Sequence, residues 1–129
     1  DLDNAVSFEG FVPRERKLHW LRAAWVAVFA SEKEGWGLTV IEANACGTPV
    51  IASNSDGLRD SVQDGRTGIL VPHGNIQELA AQMDRLAADP ALRSELGNNA
   101  LEWAAGFNWD ATAERMISVM KETSSKCLK

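Results

Sequence analysis

Residues 26–52 read VAVFASEKEGWGLTVIEANACGTPVIA, and their order decides the fold. Val26 to Ala30 is continuously apolar, the pattern of a strand covered on both faces in a parallel sheet. Ser31 to Gly37 is polar and punctuated by glycine, so it reads as a loop. Leu38 to Ala45 then places Val40, Ile41 and Ala45 at helical spacing, and Gly47 supplies a left-handed stop. Pro49 to Ala52 is a second buried strand. Two strands joined by a helix in this way form a right-handed parallel unit.

The flanking sequence continues the alternation. Ala5 to Phe8 reads as a strand closed by Gly10, and Pro13 opens a helix to about Ala24 with Leu18, Leu21 and Trp25 on one face. Beyond the central unit come a short helix near Leu58 to Val62, an Asp64-Gly65 turn and a strand from Gly68 to Val71. Asn75 with Glu78 forms a capping box, followed by a stripe of Ile76, Leu79, Ala80, Met83, Leu86 and Ala87. Asp89-Pro90 starts a further helix that Gly97 is expected to break near Leu96, with one more turn up to Ala105. Asn108 caps a last helix whose expected buried face is Trp109, Ala113, Met116, Ile117 and Met120, with a loose tail from Thr123. The fold class is therefore α/β: a partial Rossmann-like parallel sheet of four strands with flanking helices and a helical C-terminus, in a single domain over residues 1–129.

Composition bounds the function. The chain has 129 residues, 13 Lys plus Arg against 18 Asp plus Glu, and a net charge of -5, which leaves no basic footprint for nucleic acid. Its longest apolar run, Ala23 to Ala30, is far short of the ~20 residues that span a bilayer. Cys46 and Cys127 provide neither a disulfide framework nor metal-ligand spacing, so a reducing, cytoplasmic setting is expected, with Cys46 as a small core residue. The chain opens on Asp1 rather than Met and reads as a piece of something longer. No G-x-G-x-x-G follows the first strand, which counts against a nicotinamide-dependent oxidoreductase.

Chemistry concentrates in Ser31 to Ala43. Gly35 and Gly37 lie where a buried strand ends and a helix begins, the position at which open α/β sheets bind ligands. The N–H groups of Gly37, Leu38 and Thr39 are expected to face outward at the helix start, where an anion such as a diphosphate fits. Glu34 and Glu42 stand on either side with seven residues between them. Carboxylates next to a pyrophosphate need hydroxyl donors to accept from, so the pair suggests a polyhydroxylated ligand at both ends, as in a nucleotide sugar. The plainer alternative is a strand-to-helix turn with sterically required glycines, a solvated loop acid and a helix-surface acid; only the combination is specific. His19 and His73 stand alone, Trp20, Trp25, Trp103 and Trp109 are more readily packing residues than sugar platforms, and Arg14, Arg16 and Lys17 read as a solvated face.

With these residues in view, the chain resembles the C-terminal nucleotide-sugar domain of GT-B retaining glycosyltransferases of family 4. The resemblance runs from about Phe8 to Met120. It is carried by Gly10, the E-G-W-G-L…E segment, Ala43 to Ala52 (ANACGTPVIA), Asp64 to Pro72 (DGRTGILVP) and Phe107-Asn108-Trp109. It implies that Glu34 is the catalytic-site carboxylate that holds donor-sugar hydroxyls. It implies further that Gly35, Trp36, Gly37, Leu38 and Thr39 form the donor-binding loop, and that Glu42 binds the ribose. It implies hexosyl transfer from a nucleoside-diphosphate sugar with retention, without a metal or other cofactor. The phosphate-neutralising Arg and Lys, the base-recognition segment and the acceptor-binding N-terminal domain are expected upstream of Asp1. That other domain allows peripheral membrane association, and the last helix, which the resemblance has crossing toward it with its apolar surface exposed, allows self-association. The chain by itself is then not a competent enzyme. Two departures stand out: Asp56-Gly57 and then Asp60 replace a Gly-Gly pair followed by Glu, and Trp36 replaces Phe, a change that narrows the pocket. The alternative is a non-catalytic nucleotide-sugar-binding or protein-interaction domain, against which the intact glutamate pair counts.

Overall fold

The computed structural model describes residues 4–127. The elements run α1 (Arg14–Ala23), β1 (Ala27–Phe29), α2 (Leu38–Asn44), β2 (Val50–Ser53), α3 (Leu58–Ser61), β3 (Gly68–Val71), α4 (Ile76–Ala88), α5 (Pro90–Ala105) and α6 (Trp109–Cys127). The strands form one parallel sheet in the order β1-β2-β3, with Ala27 opposite Val50 and Val50 opposite Gly68. The central strand β2 is buried along its whole length, as its unbroken apolar run requires. Its residues alternate between two cores. Val50 and Ala52 join Val40, Ala43, Leu58 and Val62 from α2 and the α3 segment, while Ile51 joins Val71, Leu86 and Leu96 under α4 and α5. Each fully buried Ile or Leu here contributes about 1.5–3 kcal/mol of apolar transfer, so these two layers hold the sheet that carries the loops.

Local signals set most element ends. Asn75 Oδ1 accepts from Glu78 N at 3.0 Å, Asp89 Oδ1 from Leu92 N at 2.9 Å and Asn108 Oδ1 from Ala111 N at 2.8 Å, so three helix starts are capped by the side chains the sequence placed there. Gly47 sits at φ 76 after α2, as its stop role demands.

Four expectations are corrected. Ala5 to Phe8 forms no strand: the sheet among the described residues has three strands, and a strand needs a neighbour for its N–H and C=O groups. Strand β1 is not buried on both faces: it is an edge among the described residues, and while Ala27 and Phe29 pack toward α2, Val28 points to the opposite face and is exposed. Gly97 does not break the helix. It lies inside α5, where a Cβ would collide with the Gly47 carbonyl oxygen, so it serves the close approach of α5 to the turn after α2. The last helix continues through the expected loose tail to Cys127. Of the two expectations for its apolar face, burial and exposure on a helix that crosses toward another domain, the second is found: Trp109 is 89% exposed and Met116 and Met120 more than half. Helical spacing orders such a face without supplying a cover for it, and α5 already covers the flank of α2 and the sheet.

Two stability predictions follow from these contacts. Gly97→Ala gains ~1 kcal/mol of helix propensity but overpacks against Gly47 by ~1–3 kcal/mol, a net loss of about 1 kcal/mol. Urea unfolding of the complete encoded polypeptide should show a lower midpoint. Asn44 on α2 is fully buried, with neither Oδ1 nor Nδ2 hydrogen-bonded. Leaving such an amide unmet costs ~1–3 kcal/mol, so Asn44→Ala should stabilise by about 1 kcal/mol after the small cavity is set against it. A lowered thermal midpoint for this variant would show that the amide has a partner.

Candidate functional site

The segment Ser31–Gly37 leaves the carboxyl end of β1 and lies against the turn that leaves β2. Glu34 N donates to the Asp56 carbonyl at 3.1 Å, Lys33 and Asp56 form an isolated parallel bridge, and Ser55 Oγ donates to the Ser31 carbonyl at 2.9 Å. Two loops at adjacent strand ends are thereby zipped together at the end of the sheet where α/β folds bind ligands. The Glu34 side chain projects from this zipped pair into solvent, and Gly35 beside it is open, with nothing within 4 Å of where a Cβ would stand.

Gly37 caps α2 at φ 84. A Cβ there would meet Ser61 Oγ at 2.9 Å and Leu58 Cδ2 at 3.2 Å, so α3 holds this glycine down and its backbone is buried rather than facing outward as expected. Its carbonyl accepts from Val40 N at 2.9 Å and Ile41 N at 3.4 Å. Leu38 and Thr39 precede the first intrahelical donors and are both exposed, so they are the amides of this turn left for a ligand.

On the other flank of α2 a groove of about 340 Å³ is walled by Trp36, Leu38, Ile41, Glu42, Phe107 and Trp109. Trp36 packs edge-on to Phe107 at 4.7 Å, Phe107 packs edge-on to Trp103 at 4.8 Å, and Trp103 Nε1 donates to the Ser61 carbonyl at 2.9 Å. Trp36 thus braces the junction of α5 and α6. Glu42 borders the groove and pairs with Lys17 Nζ of α1 at 2.6 Å. Both side chains are nearly half exposed, and such a pair is worth only ~0–1 kcal/mol, so Lys17 orients the carboxylate without sequestering it.

The structure therefore brings Trp36, Leu38 and Glu42 together along one groove, while Glu34, Gly35 and Thr39 lie outside its lining. Asp56-Gly57 and Phe107 stand out in the sequence only through the family resemblance, and their contacts with Glu34 and Trp36, like that of Lys17 with Glu42, are tertiary. Trp25 is not core: it is 64% exposed, with the Arg93 guanidinium 4.4 Å above its ring. His73 faces Ser53 Oγ at 3.3 Å beside a separate cavity of about 120 Å³ at the carboxyl ends of β1, β2 and β3, and Cys46 is a half-buried free thiol. No helix among the described residues is long and apolar enough to cross a membrane.

Comparison with known proteins agrees with the fold. The family described as glycosyl transferases group 1 matches residues 1–103. A D-inositol 3-phosphate glycosyltransferase of Kribbella flavida is 38% identical over 120 residues, 93% of this chain, and the chain spans only 28% of that relative's length. Among solved structures, sucrose-phosphate synthase from Thermosynechococcus elongatus superposes with a TM-score of 0.86 at 40% identity, covering 97% of this chain and 32% of the other. Anabaena HepE in complex with UDP gives 0.81 at 28% identity over 95% of this chain and 33% of its own, and HepE has also been solved with UDP-glucose. The partial parallel sheet with flanking helices is the one these glycosyltransferase folds share.

Proposed function

The chain belongs to the glycosyl transferases group 1 family, and from that premise we propose that it is the donor-holding part of a retaining glycosyltransferase that takes a uridine-diphosphate hexose. The observation that carries this reading is the placement of two exposed glutamates around one strand-to-helix junction, Glu34 on the zipped loops and Glu42 at the groove. The complexes of HepE with UDP and UDP-glucose support the choice of donor.

In this reading Glu34 accepts hydrogen bonds from hydroxyls of the sugar and Glu42 from those of the ribose. The diphosphate lies between them, against the amides of Leu38 and Thr39. During transfer the bond from the anomeric carbon to the diphosphate oxygen breaks and a bond to the acceptor oxygen forms on the same face. The charge that grows on the leaving phosphate is met by those fixed amides, which need no reorganisation at that moment. Gly35, without a side chain, leaves that path open.

The test is to incubate the complete encoded polypeptide with UDP-glucose and water as acceptor, following UDP release and the anomer of the freed glucose by proton NMR. The α-anomer should appear first. First appearance of the β-anomer would overturn retention, and absence of both UDP release and UDP binding would overturn the donor assignment.

A further inference from the structure

We infer that Gly57 is a positioning residue for Glu34, setting the depth at which that carboxylate meets the donor sugar. The inference rests on the reading of Glu34 as the sugar-holding carboxylate.

Gly57 has φ 82 and ψ -48, a conformation that L side chains rarely adopt. Its bare α-carbon lies directly beneath the peptide that follows Glu34. A Cβ would run into the Glu34 carbonyl oxygen and stand 2.8 Å from the Glu34 carbonyl carbon and 3.1 Å from that of Gly35. The residue before it, Asp56, accepts the Glu34 N–H at 3.1 Å. Both faces of Glu34's backbone are therefore registered against one dipeptide.

That dipeptide is the fixed partner. The Gly57 carbonyl accepts from Asp60 N and Ser61 N at 3.2 Å each as the start of α3. The next residue, Leu58, is 1% exposed in the core, and Arg59 pairs with the Asp56 carboxylate. Gly57 itself is buried, whereas Glu34 and Gly35, like the Asp56 side chain, are exposed. When a methyl group is placed between the two, the exposed loop yields, by a distance on the order of 1 Å. The start of α2 need not follow as long as α3 keeps its place, because Gly37 packs against the buried Ser61 and Leu58 of that helix rather than against Gly57. The displacement is thus confined to the sugar side of the site and spares Glu42.

A misplacement of ~1 Å can cost up to a hundredfold in rate, so Gly57→Ala in the complete encoded polypeptide should lower UDP-glucose turnover at least about tenfold, with UDP affinity within about twofold. In a Glu34→Ala background the same change should cost less than about twofold further, since the carboxylate it misplaces is gone. That vanishing loss is what a merely structural role would not produce. An unchanged rate, an equal loss in both backgrounds, or a parallel loss of UDP affinity would overturn the inference. If Glu34→Ala alone leaves turnover intact, the reading of Glu34 fails, whatever Gly57→Ala does. Should Gly57→Ala not accumulate as folded protein, Ser55→Ala loosens the same interlock by removing the bond to Ser31. A loss of about threefold that disappears in the Glu34→Ala background is expected for one such bond, and an unchanged rate overturns the inference.

Discussion

Glu34→Ala in the complete encoded polypeptide lowers the rate of sugar transfer by about 100-fold while UDP affinity changes less than about threefold. The size follows from the hydrogen bonds lost. A carboxylate that accepts from sugar hydroxyls contributes ~1.5–3 kcal/mol per charged bond, and each 1.4 kcal/mol is tenfold. The selectivity follows from the fold. Glu34's side chain extends from the zipped loops into solvent, and its backbone rather than its side chain makes the bond to Asp56, so truncation leaves the interlock standing. Steady-state turnover of UDP-glucose beside calorimetric titration with UDP separates the two quantities. Equal losses in both would assign Glu34 a structural role.

Glu42→Ala has the complementary signature, weakening UDP binding about ten- to a hundredfold because it removes the acceptor for the ribose hydroxyls. The Lys17 ammonium, 2.6 Å from the carboxylate, then loses its partner as well, but an exposed pair of this kind contributes only ~0–1 kcal/mol and cannot account for the change. Lys17→Met provides the check, with a loss in UDP affinity smaller than about fivefold. Unchanged UDP affinity in Glu42→Ala would remove Glu42 from the site.

The central unit was legible from residues 26–52 because its signals are local. An apolar strand, glycines at the loop and a left-handed stop at Gly47 act within a few residues of one another, and the capping residues Asn75, Asp89 and Asn108 act within a turn. What was not legible depends on partners distant in the chain. Val6 and Phe8 have the composition of a strand but no neighbour to pair with, and both stay exposed. Trp25, read as a packing residue, is exposed, with the Arg93 guanidinium over its ring. Gly97 looks like a helix breaker until Gly47 is found against it.

The same division runs through the site. The residue types of Glu34, Gly37 and Glu42 could be read in order along the chain. The clamp of Asp56-Gly57 on Glu34, the Lys17 pair and the aromatic brace from Trp36 to Trp103 could not, since each joins separate elements. Gly37 illustrates both halves. Its glycine was legible, but its reason is the close packing of α3 and its left-handed φ, whereas open approach to a ligand belongs to Gly35.

Hydrogen–deuterium exchange of the complete encoded polypeptide, with and without saturating UDP-glucose, reads the backbone amides on which the donor assignment depends. Peptides covering Ser31 to Ala43 should exchange more slowly with the donor bound, with the change centred on Gly35 to Thr39. Protection elsewhere in the polypeptide, with Ser31 to Ala43 exchanging as before, would contradict the assignment of this junction as the donor site.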